Sequence, residues 1–366
     1  METSPHPERT TEQPVMATVI QSMPYPTPPA KRSLLSRIIS VFLTFIFIGS
    51  LLLNLLFLSV LGIAGFSSLD TEGRVQEKYY SHQYYATDKV AILSIEGVIL
   101  SGEGFLKQQI DYALKDTKDG GLKALVIRVN SPGGTISGSD YLYHRLRELA
   151  KKTGIPIVVS MGSITASGGY YISMAVGDTP ETIYAEPTTW TGSIGVVIPH
   201  YNIAGLMKEL GVVDDSIASN PLKEMGTFTR AMTEEERKIF QGLVKEGFDR
   251  FKSVVQYGRP KFKQDTAALD KLATGQIFTA DQALENGLID KIGFLDDAVD
   301  RAIELAHLDK NNVKVIKYKP EPSLANLLLG VQSAKQSNFD LAALLDLTVP
   351  RAYYLYTWLP PLSGKP

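Results

Sequence analysis

The segment LKALVIRVNSPGG, residues 122–134, joins an apolar run rich in β-branched residues directly to a turn of proline and glycine. A short continuous apolar run is typical of a strand that is buried on both faces of a parallel sheet. Proline has no N–H to donate, and two glycines allow positive φ and close backbone approach. The segment therefore predicts a strand of a parallel sheet that ends in a tight turn.

Similar apolar runs lie on both sides of this segment and alternate with amphipathic, capped segments. Thr233 and Glu236 have the spacing of a capping box, and Thr279 and Gln282 repeat it. Alternating strands and helices predict an α/β domain with a parallel sheet. The further strands are expected at 90–99, 156–162, 181–187 and 192–199, and the helices at 137–152, 233–257 and 295–308.

An uncharged apolar run extends from Ile38 to Phe66. A bilayer core of ~30 Å needs ~20 such residues in a helix, and the run is longer than the ~7–15 residues of a signal-peptide core. Lys31, Arg32 and Arg37 precede it, so the N-terminus is expected in the cytoplasm and the following domain outside it. A single-pass helix in the cell (inner) membrane is predicted, with a cleaved secretion signal as the alternative.

Changes in amino-acid composition along the sequence predict that the chain has five parts. The C-terminal part holds short apolar segments, at 324–330, 341–347 and 352–362, that are too short to span a bilayer and could pack on the domain, a neighbour or the membrane surface. The predicted parts are a disordered cytoplasmic tail (1–33), a transmembrane anchor (34–66), a connector (67–87), a catalytic domain (88–310) and a C-terminal extension (311–366).

The composition also excludes several functions. The formal net charge of −2 argues against a nucleic-acid partner. The absence of cysteine excludes disulfides, thiolate catalysis and cysteine-ligated zinc. No HExxH metal motif, GxSxG elbow or phosphate-binding glycine loop is present, so neither a metal nor a nucleotide cofactor is expected.

Two glycine-containing turns are candidates for acyl-transfer chemistry. In Asn130–Gly134 the backbone N–H groups of Gly133 and Gly134 could hold an oxyanion, although this motif taken alone is more typical of an ordinary Pro-Gly turn. In Gly162–Tyr171 three hydroxyls compete, and only Ser167 directly precedes a Gly-Gly pair. Ser167 is therefore the candidate nucleophile, with Gly168 as a further oxyanion donor, although a helix-capping serine is an equally good interpretation.

A serine nucleophile needs a base. Lys223, in the loop Ser219–Gly226, can serve only if it is uncharged in a covered pocket, and by itself it has the features of a solvated surface lysine. Ser193 is a candidate to orient it. Among the five histidines only His200 is a plausible rival base.

Taken together, five blocks resemble bacterial signal peptide peptidase A (protease IV) in its short single-domain form. The resemblance covers about residues 88–310, and all five blocks occur in the family's order behind an N-terminal anchor. The blocks are RVNSPGG (128–134), GSITASGGYYIS (162–173), TGSIGV (191–196), LKEMGTFTRAMTEEE (222–236) and TGQIFTADQALENGLIDKIG (274–293).

The resemblance implies a crotonase/Clp-protease-like superhelix of β-β-α units. It implies Ser167 as nucleophile, Lys223 as base, and Gly133 and Gly134 in the oxyanion hole. It further implies a ring-shaped homo-oligomer, in which serine and lysine can come from adjacent protomers, and hydrophobic signal peptides as substrates. The chain departs from the family at 177–181, which could shift the strand carrying Ser193, and in its aromatic tail after Pro350.

The predicted function is thus a membrane-anchored serine endopeptidase that degrades cleaved signal peptides and other membrane-associated peptides. One alternative is an inactive scaffold, a pseudoprotease ring that binds membrane peptides. Another is an acyl-CoA enzyme of crotonase type, which the expected extracytoplasmic location disfavours.

Overall fold

A computed structural model describes residues 34–67, 75–321 and 353–355. The chain divides into two compact units, residues 1–67 and 68–366. The predicted disordered tail (1–33) and the apolar segments at 324–330 and 341–347 lie outside the described residues, as does most of 352–362.

The first unit contains a single described helix, α1 (Leu34–Ser67). Within it, the 22 residues from Ile38 to Ser59 are long and apolar enough to cross a membrane, and none of them is buried against other protein. The predicted span is therefore helical. Its length and composition meet the requirement of a bilayer core.

The second unit is built on a nine-stranded sheet with a separate two-stranded ribbon. The strands are β1 (Val75–His82), β2 (Lys89–Glu96), β3 (Leu122–Ser131), β4 (Gly133–Thr135), β5 (Ile157–Ala166), β6 (Ile183–Ala185), β7 (Trp190–Gly192), β8 (Ile277–Thr279), β9 (Lys291–Ile292), β10 (Lys314–Pro320) and β11 (Tyr353–Leu355).

The helices of this unit connect and cover the strands. They are α2 (Phe105–Lys118), α3 (Ile136–Thr153), α4 (Gly168–Ser173), α5 (Ala204–Glu209), α6 (Glu234–Gly258), α7 (Lys261–Gln264), α8 (Thr266–Leu272), α9 (Ala280–Glu285) and α10 (Leu295–Leu305). Short 3-10 turns occur at Met174–Val176, Pro221–Glu224 and Lys310–Asn312. Both predicted capping boxes form, at the starts of α6 and α9.

The sheet order is β1-β10-β2-β3-β5-β6-β9, and β7 joins β5 to β8. The pairings of β2 with β3 and of β3 with β5 are parallel. Side chains of β3 are buried on both faces, in two apolar clusters. This arrangement confirms the predicted α/β class, because only a strand that is covered on both sides would be apolar throughout.

One predicted strand is wrong. The apolar run 192–199 was expected to form a strand, but β7 covers only Trp190–Gly192. The chain leaves the sheet at the next residue, since Ser193 has a positive φ of 52°. A non-glycine residue in this conformation cannot continue an extended strand. The apolar side chains that follow line a cavity instead.

Two strands of the sheet lie outside the predicted catalytic domain. β1 lies in the segment expected to be a connector, and β10 lies in the expected C-terminal extension. They pair with each other in antiparallel fashion, and β10 pairs with β2 in parallel. The folded unit thus extends on both sides of residues 88–310.

Candidate active site

Ser167 occupies the sharp junction between β5 and α4. Its φ of 53° and ψ of −113° are strained for a residue with a side chain. A backbone conformation of this kind destabilises the fold by roughly 1–3 kcal/mol, and such residues are concentrated at functional sites. Two hydrogen bonds hold the junction, from Ser167 N to the Gly192 carbonyl oxygen (2.8 Å) and from Tyr171 N to the Ser167 carbonyl oxygen (2.8 Å). The surrounding structure therefore imposes this conformation.

Ser167 is buried, with only 1% of the residue exposed, and its hydroxyl caps no helix. A serine that served merely to start α4 would accept a hydrogen bond from one of the first backbone N–H groups. Of the competing hydroxyls, Thr165 donates to the Val129 carbonyl oxygen (2.8 Å), and Ser163 is exposed. The structure thus favours Ser167 as the uncommitted hydroxyl.

The three predicted oxyanion glycines lie together beside Ser167. A methyl group placed on Gly133 would lie 3.1 Å from Ser167 Cβ and 2.7 Å from Gly168 N. A methyl group on Gly168 would lie 3.2 Å from Gly134 N. Gly133 also has a φ of 101°. These contacts leave room for glycine alone, so the two predicted turns meet at one point.

The N–H groups of this cluster point in different directions. Gly133 N donates to Ser131 Oγ (3.1 Å) and is therefore already bonded. On one side of β4, Ile99 N donates to the Gly133 carbonyl (2.9 Å) and Thr135 N donates to the Ile99 carbonyl (2.8 Å). Since successive backbone groups of a strand point to opposite sides, the N–H and C=O of Gly134 face the other edge.

Ser193 lies beside this junction. It follows Gly192, whose carbonyl accepts the hydrogen bond from Ser167 N, and β5 pairs Ala166 with Gly192. Ser193 is 5% exposed, and its own N–H donates to the Gln276 carbonyl (2.8 Å). The unusual segment 177–181 lies in the turn before β6 and leaves the register of β5 and β7 intact.

Lys223 is not assembled with Ser167 within one chain. It lies in the exposed 3-10 turn Pro221–Glu224, which Asn220 caps by accepting from Leu222 N. In the part of the chain that the structure describes, the Lys223 amine makes no ion pair or hydrogen bond, with Ser167 or with any other group. The predicted base therefore stands in solvent.

The loop that carries Lys223 is tied to α6 by one buried carboxylate. Glu236 is 1% exposed and accepts hydrogen bonds from Arg230 at 2.6 and 3.1 Å. It also accepts from Thr233 N (2.8 Å) in the capping box. The hydrogen bond from Arg230 lowers the pKa of Glu236 to about 2 against the opposing effect of burial. The carboxylate is thus charged and holds the end of the loop.

His200, the rival base, is bonded elsewhere. Its Nε2 lies 3.1 Å from the Thr227 carbonyl oxygen. It lines a cavity of about 910 Å³ together with Ser193, Val196, Phe240 and Phe248. Among the described residues, no hydrogen bond joins His200 to Ser167.

Sequence analysis did not single out Tyr354, which the structure brings to this site. β11 pairs with β4 so that Tyr354 lies opposite Gly134. Its side chain is fully buried. The aromatic composition of the segment around it was noticed, but nothing in the local sequence indicates which strand it would pair with.

Comparisons with known proteins identify the family. A model of peptidase family S49 matches residues 149–309, a range that includes Ser167, Ser193 and Lys223. The comparison also confirms the predicted Clp-protease-like fold class.

Three relatives illustrate the similarity. A provisionally named protease of Synechocystis sp. is 36% identical over 261 residues, which are 70% of this chain and 89% of that protein. A provisionally named signal peptide peptidase of Enterococcus faecium is 35% identical over 288 residues, 73% of this chain and 81% of that protein. The chloroplastic serine protease SPPA of Arabidopsis thaliana is 29% identical over 259 residues, 68% of this chain and 37% of that protein. The chain therefore belongs to peptidase family S49, within the signal peptide peptidase A family of serine proteases.

Proposed function

We propose that the chain is a membrane-anchored endopeptidase with Ser167 as nucleophile and Lys223 as general base, acting on cleaved signal peptides and other membrane-associated peptides. The observation that carries the proposal is the conformation and environment of Ser167. Its backbone is strained, its side chain caps no helix, and its Cβ lies beside Gly133 in the cluster of three glycines. A packing or capping serine would not need this conformation.

In the proposed reaction, Lys223 takes the proton of Ser167, and the Ser167 oxygen attacks the scissile carbonyl carbon. The resulting oxyanion accepts hydrogen bonds from backbone N–H groups beside the junction. Gly168 is the better donor here, since Gly133 N already donates to Ser131 Oγ and the N–H of Gly134 faces the edge at which β11 pairs. A donor of this kind typically contributes about 3–4 kcal/mol to transition-state stabilisation.

The protonated Lys223 then gives its proton to the leaving amine, and the peptide fragment departs from the acyl-enzyme. A water molecule, deprotonated by the same lysine, attacks the ester carbonyl and releases the second fragment and the free Ser167 hydroxyl. All proton transfers pass through one amine, so neither a metal nor a cofactor is required.

A lysine serves as a base only when it is desolvated or close to another positive charge. Lys223 is exposed in the single chain. We therefore propose that a second copy of the chain covers it and supplies the serine with which it works. The residues around the lysine loop support this, because several large apolar side chains are exposed there, namely Leu206, Leu210, Val212, Val213 and Ile217.

The signal-peptide substrate is proposed from the name of the Enterococcus faecium relative and from the anchor helix. The basic residues before the apolar span support, under the positive-inside rule, a cytoplasmic N-terminus and a catalytic unit on the outer side. Signal peptides remain in the membrane after cleavage, so an anchored protease would meet them there.

Mixing two inactive variants tests the site. Ser167→Ala and Lys223→Ala should each lack peptidase activity, and co-assembly should restore about a quarter of it if each site draws its two residues independently from two copies. Hydrolysis of a quenched signal-peptide substrate in detergent provides the measurement. If co-expression restores no peptidase activity, the proposal that one site takes its serine and its lysine from two copies is wrong. That result leaves open a role for each residue within its own chain.

The separation of Ser167 from Lys223 in one chain also suits the second candidate, an inactive scaffold that binds membrane peptides. A fluorophosphonate probe distinguishes the two. The assembled peptidase should be labelled at Ser167 and not in Ser167→Ala, whereas the scaffold should remain unlabelled.

A further inference from the structure

We propose that β1 and the turn after it form a surface that lies on the headgroup region of an anionic phospholipid bilayer. This surface, the tyrosine–lysine edge, consists of Lys78, Tyr79, Tyr84, Tyr85 and Lys319. The inference rests on the proposed function, because it requires the anchor of the proposed endopeptidase to lie in the same bilayer. It adds to that function a second attachment, made by the folded unit itself.

β1 is the last strand at one end of the sheet. It pairs with β10 on one side, and in the described part of the chain no strand pairs with its other side. Lys78, Tyr79 and Tyr80 are exposed one after another, so large side chains point outward on both faces of the strand. Proteins usually protect or cover such an edge. The edge of β1 is therefore a surface that is open to an external partner.

Three tyrosines at this edge touch one another. The rings of Tyr79 and Tyr84 meet edge to face with centroids 5.1 Å apart, and those of Tyr84 and Tyr85 do the same at 5.1 Å. They are 42%, 56% and 87% exposed, in that order. Single exposed apolar side chains need no explanation, but a contiguous group marks an interaction site. Tyrosine, with an apolar ring and a polar hydroxyl, is enriched where a membrane meets water.

The same edge carries uncompensated positive charge. Among the described residues, no ion pair or hydrogen bond engages the amines of four lysines of β1 and β10, namely Lys78, Lys314, Lys317 and Lys319. Lys78 lies directly opposite Lys317, a placement that like charges disfavour. Burial and the neighbouring Lys319 lower the pKa of Lys317. The carboxylate of Glu77 is already bound by Lys89 (2.6 Å) and cannot compensate these charges.

The charges favour lipid over a second copy of the chain as the occupant. In a two-fold contact, a surface patch meets the same patch of the other copy. Lys78, Lys317 and Lys319 would then approach the same three lysines, and the repulsion would oppose the contact. Phospholipid phosphates carry the opposite charge and attract lysines that lie close to the membrane surface.

The chain also connects this edge closely to the proposed anchor. Residues 68–74 join α1 to β1, and the eight residue steps from Ser67 to Val75 span at most about 28 Å. Because α1 is the proposed anchor, β1 is the strand of the folded unit that the chain attaches nearest to the lipid. The anchor thus keeps the tyrosine–lysine edge at a high local concentration near the bilayer.

Side-chain bonds fix β1 to the rest of the folded unit. Lys89 binds Glu77 on β1 and also Asp116 on α2, at 2.6 and 2.7 Å. On the other face, the Tyr80 hydroxyl donates to Asp296 of α10 (2.9 Å). A bilayer that holds the edge therefore also orients the whole unit, instead of leaving it to swing on the connecting residues.

The first test uses the absence of cysteine, which lets one introduced cysteine carry a fluorophore. Full-length Gln83→Cys, in the exposed turn, and full-length Glu285→Cys, at the exposed end of α9, are labelled with NBD. α9 packs beside β9, at the other end of the sheet. In phosphatidylglycerol vesicles that contain a headgroup-nitroxide lipid, the label at position 83 should be quenched several-fold more than the label at position 285.

The second test reverses charges in the labelled Gln83→Cys protein. Lys78→Glu with Lys319→Glu should lower the quenching at least about twofold, because each lysine adds attraction to an anionic surface. Lys151→Glu with Lys263→Glu, at two exposed lysines of α3 and α7, should leave it unchanged. Both double variants should keep the unfolding midpoint of the wild type.

The outcomes separate this inference from the proposed function. Equal quenching at positions 83 and 285, in protein that stays in the vesicles after an alkaline wash, would overturn the inference and leave the anchor intact. Blue-shifted emission at position 83 without lipid quenching would also overturn it, since a second copy would then cover the edge. Release of the whole protein by the wash would contradict the anchor itself, and the inference would fall with it.

Discussion

The two halves of the proposed catalytic site differ in how completely one chain builds them. The serine half is buried and closely packed, and backbone hydrogen bonds hold it in place. Ser167 and Gly133 both have positive φ there. The lysine half is an exposed loop, and among the described residues the Lys223 amine makes no hydrogen bond or ion pair. The difference teaches that one chain fixes the surroundings of Ser167 and leaves Lys223 exposed; under the proposed mechanism, a second copy must cover the lysine.

The contrast also has an energetic side. Strain at Ser167 persists only because the strands around it determine its backbone. Nothing comparable restrains Lys223, where the strongest attachment is the contact of Arg230 and Thr233 with Glu236. Changes that add bulk to the glycines on the serine side should therefore affect both folding and activity, and changes on the lysine side should affect activity much more than folding.

The largest expected effect is the loss of catalysis from either half. Ser167→Ala and Lys223→Ala should each lower kcat by at least about 10³-fold, because removal of one member of a catalytic unit disables the whole. Steady-state hydrolysis of a signal peptide checks this. Each variant should keep the thermal unfolding midpoint of the wild type within a few degrees.

Matched controls sharpen this test. Ser163→Ala changes an exposed serine of the same strand, and Lys208→Ala changes another exposed lysine of the same region. Both should retain near-normal kcat. If Ser163→Ala were inactive and Ser167→Ala active, the nucleophile would have to be reassigned.

The second-largest effect is on the free energy of unfolding, when one glycine from each half is replaced by alanine. A methyl group on Gly134 would lie 1.9 Å from the Ile99 carbonyl oxygen, so Gly134→Ala should destabilise the fold by about 3 kcal/mol or more. Gly205, in α5, has open space around it, and Gly205→Ala should be neutral or stabilising by up to about 1 kcal/mol. Urea unfolding in detergent measures both, and equal stabilities would contradict the proposed difference in packing.

The third effect is a pH dependence from Glu236. Its pKa falls from an ordinary 4.5 to about 2 on folding, so its contribution is present above pH 4.5 and is lost as the pH falls towards 2. Glu236→Ala should remove about 1–2 kcal/mol at neutral pH, through the lost cap and the lost bond from Arg230. Urea midpoints measured between pH 2 and 6 should show a smaller acid loss in the variant; an unchanged profile would argue against this role.

The smallest effect on folding is expected at the exposed apolar surface of the lysine half. Ile217 is fully exposed, so Ile217→Asp should change the free energy of unfolding by less than about 0.5 kcal/mol. If a second copy covers this surface, the same variant should weaken assembly and activity. Sedimentation and peptide hydrolysis give the two readouts, and a fully assembled, active variant would remove Ile217 from the interface.

Local features of the fold were predictable where the physics is local. The capping boxes of Thr233 with Glu236 and of Thr279 with Gln282 span three residues, and both form as expected. The helix expected over 137–152 is observed at Ile136–Thr153 and ends at Gly154 in the left-handed conformation. Such bonds depend only on near neighbours in the chain.

Predictions of secondary structure failed where contacts with distant parts of the chain determine it. β1 is a polar, half-exposed segment without the pattern of a buried strand, and it forms because β10, more than two hundred residues away, offers it an edge. The strand expected over 192–199 ends early because the bonds of Ser193 N to Gln276 and of Gly275 N to Ile194 turn the chain away. The hydrophobic periodicity of a single segment contains no information about either contact.

By itself, the sequence determined the long apolar helix, the buried parallel strands, the capped helices and the two glycine turns, because hydrophobic burial and backbone freedom belong to residues and their near neighbours. The tertiary structure alone decided that these turns meet, that Lys223 remains apart from Ser167 in one chain, and that Tyr354 lies against Gly134. Those outcomes depend on hydrogen bonds and packing between segments distant in the chain, whose pairing is selected only when the whole sheet is assembled.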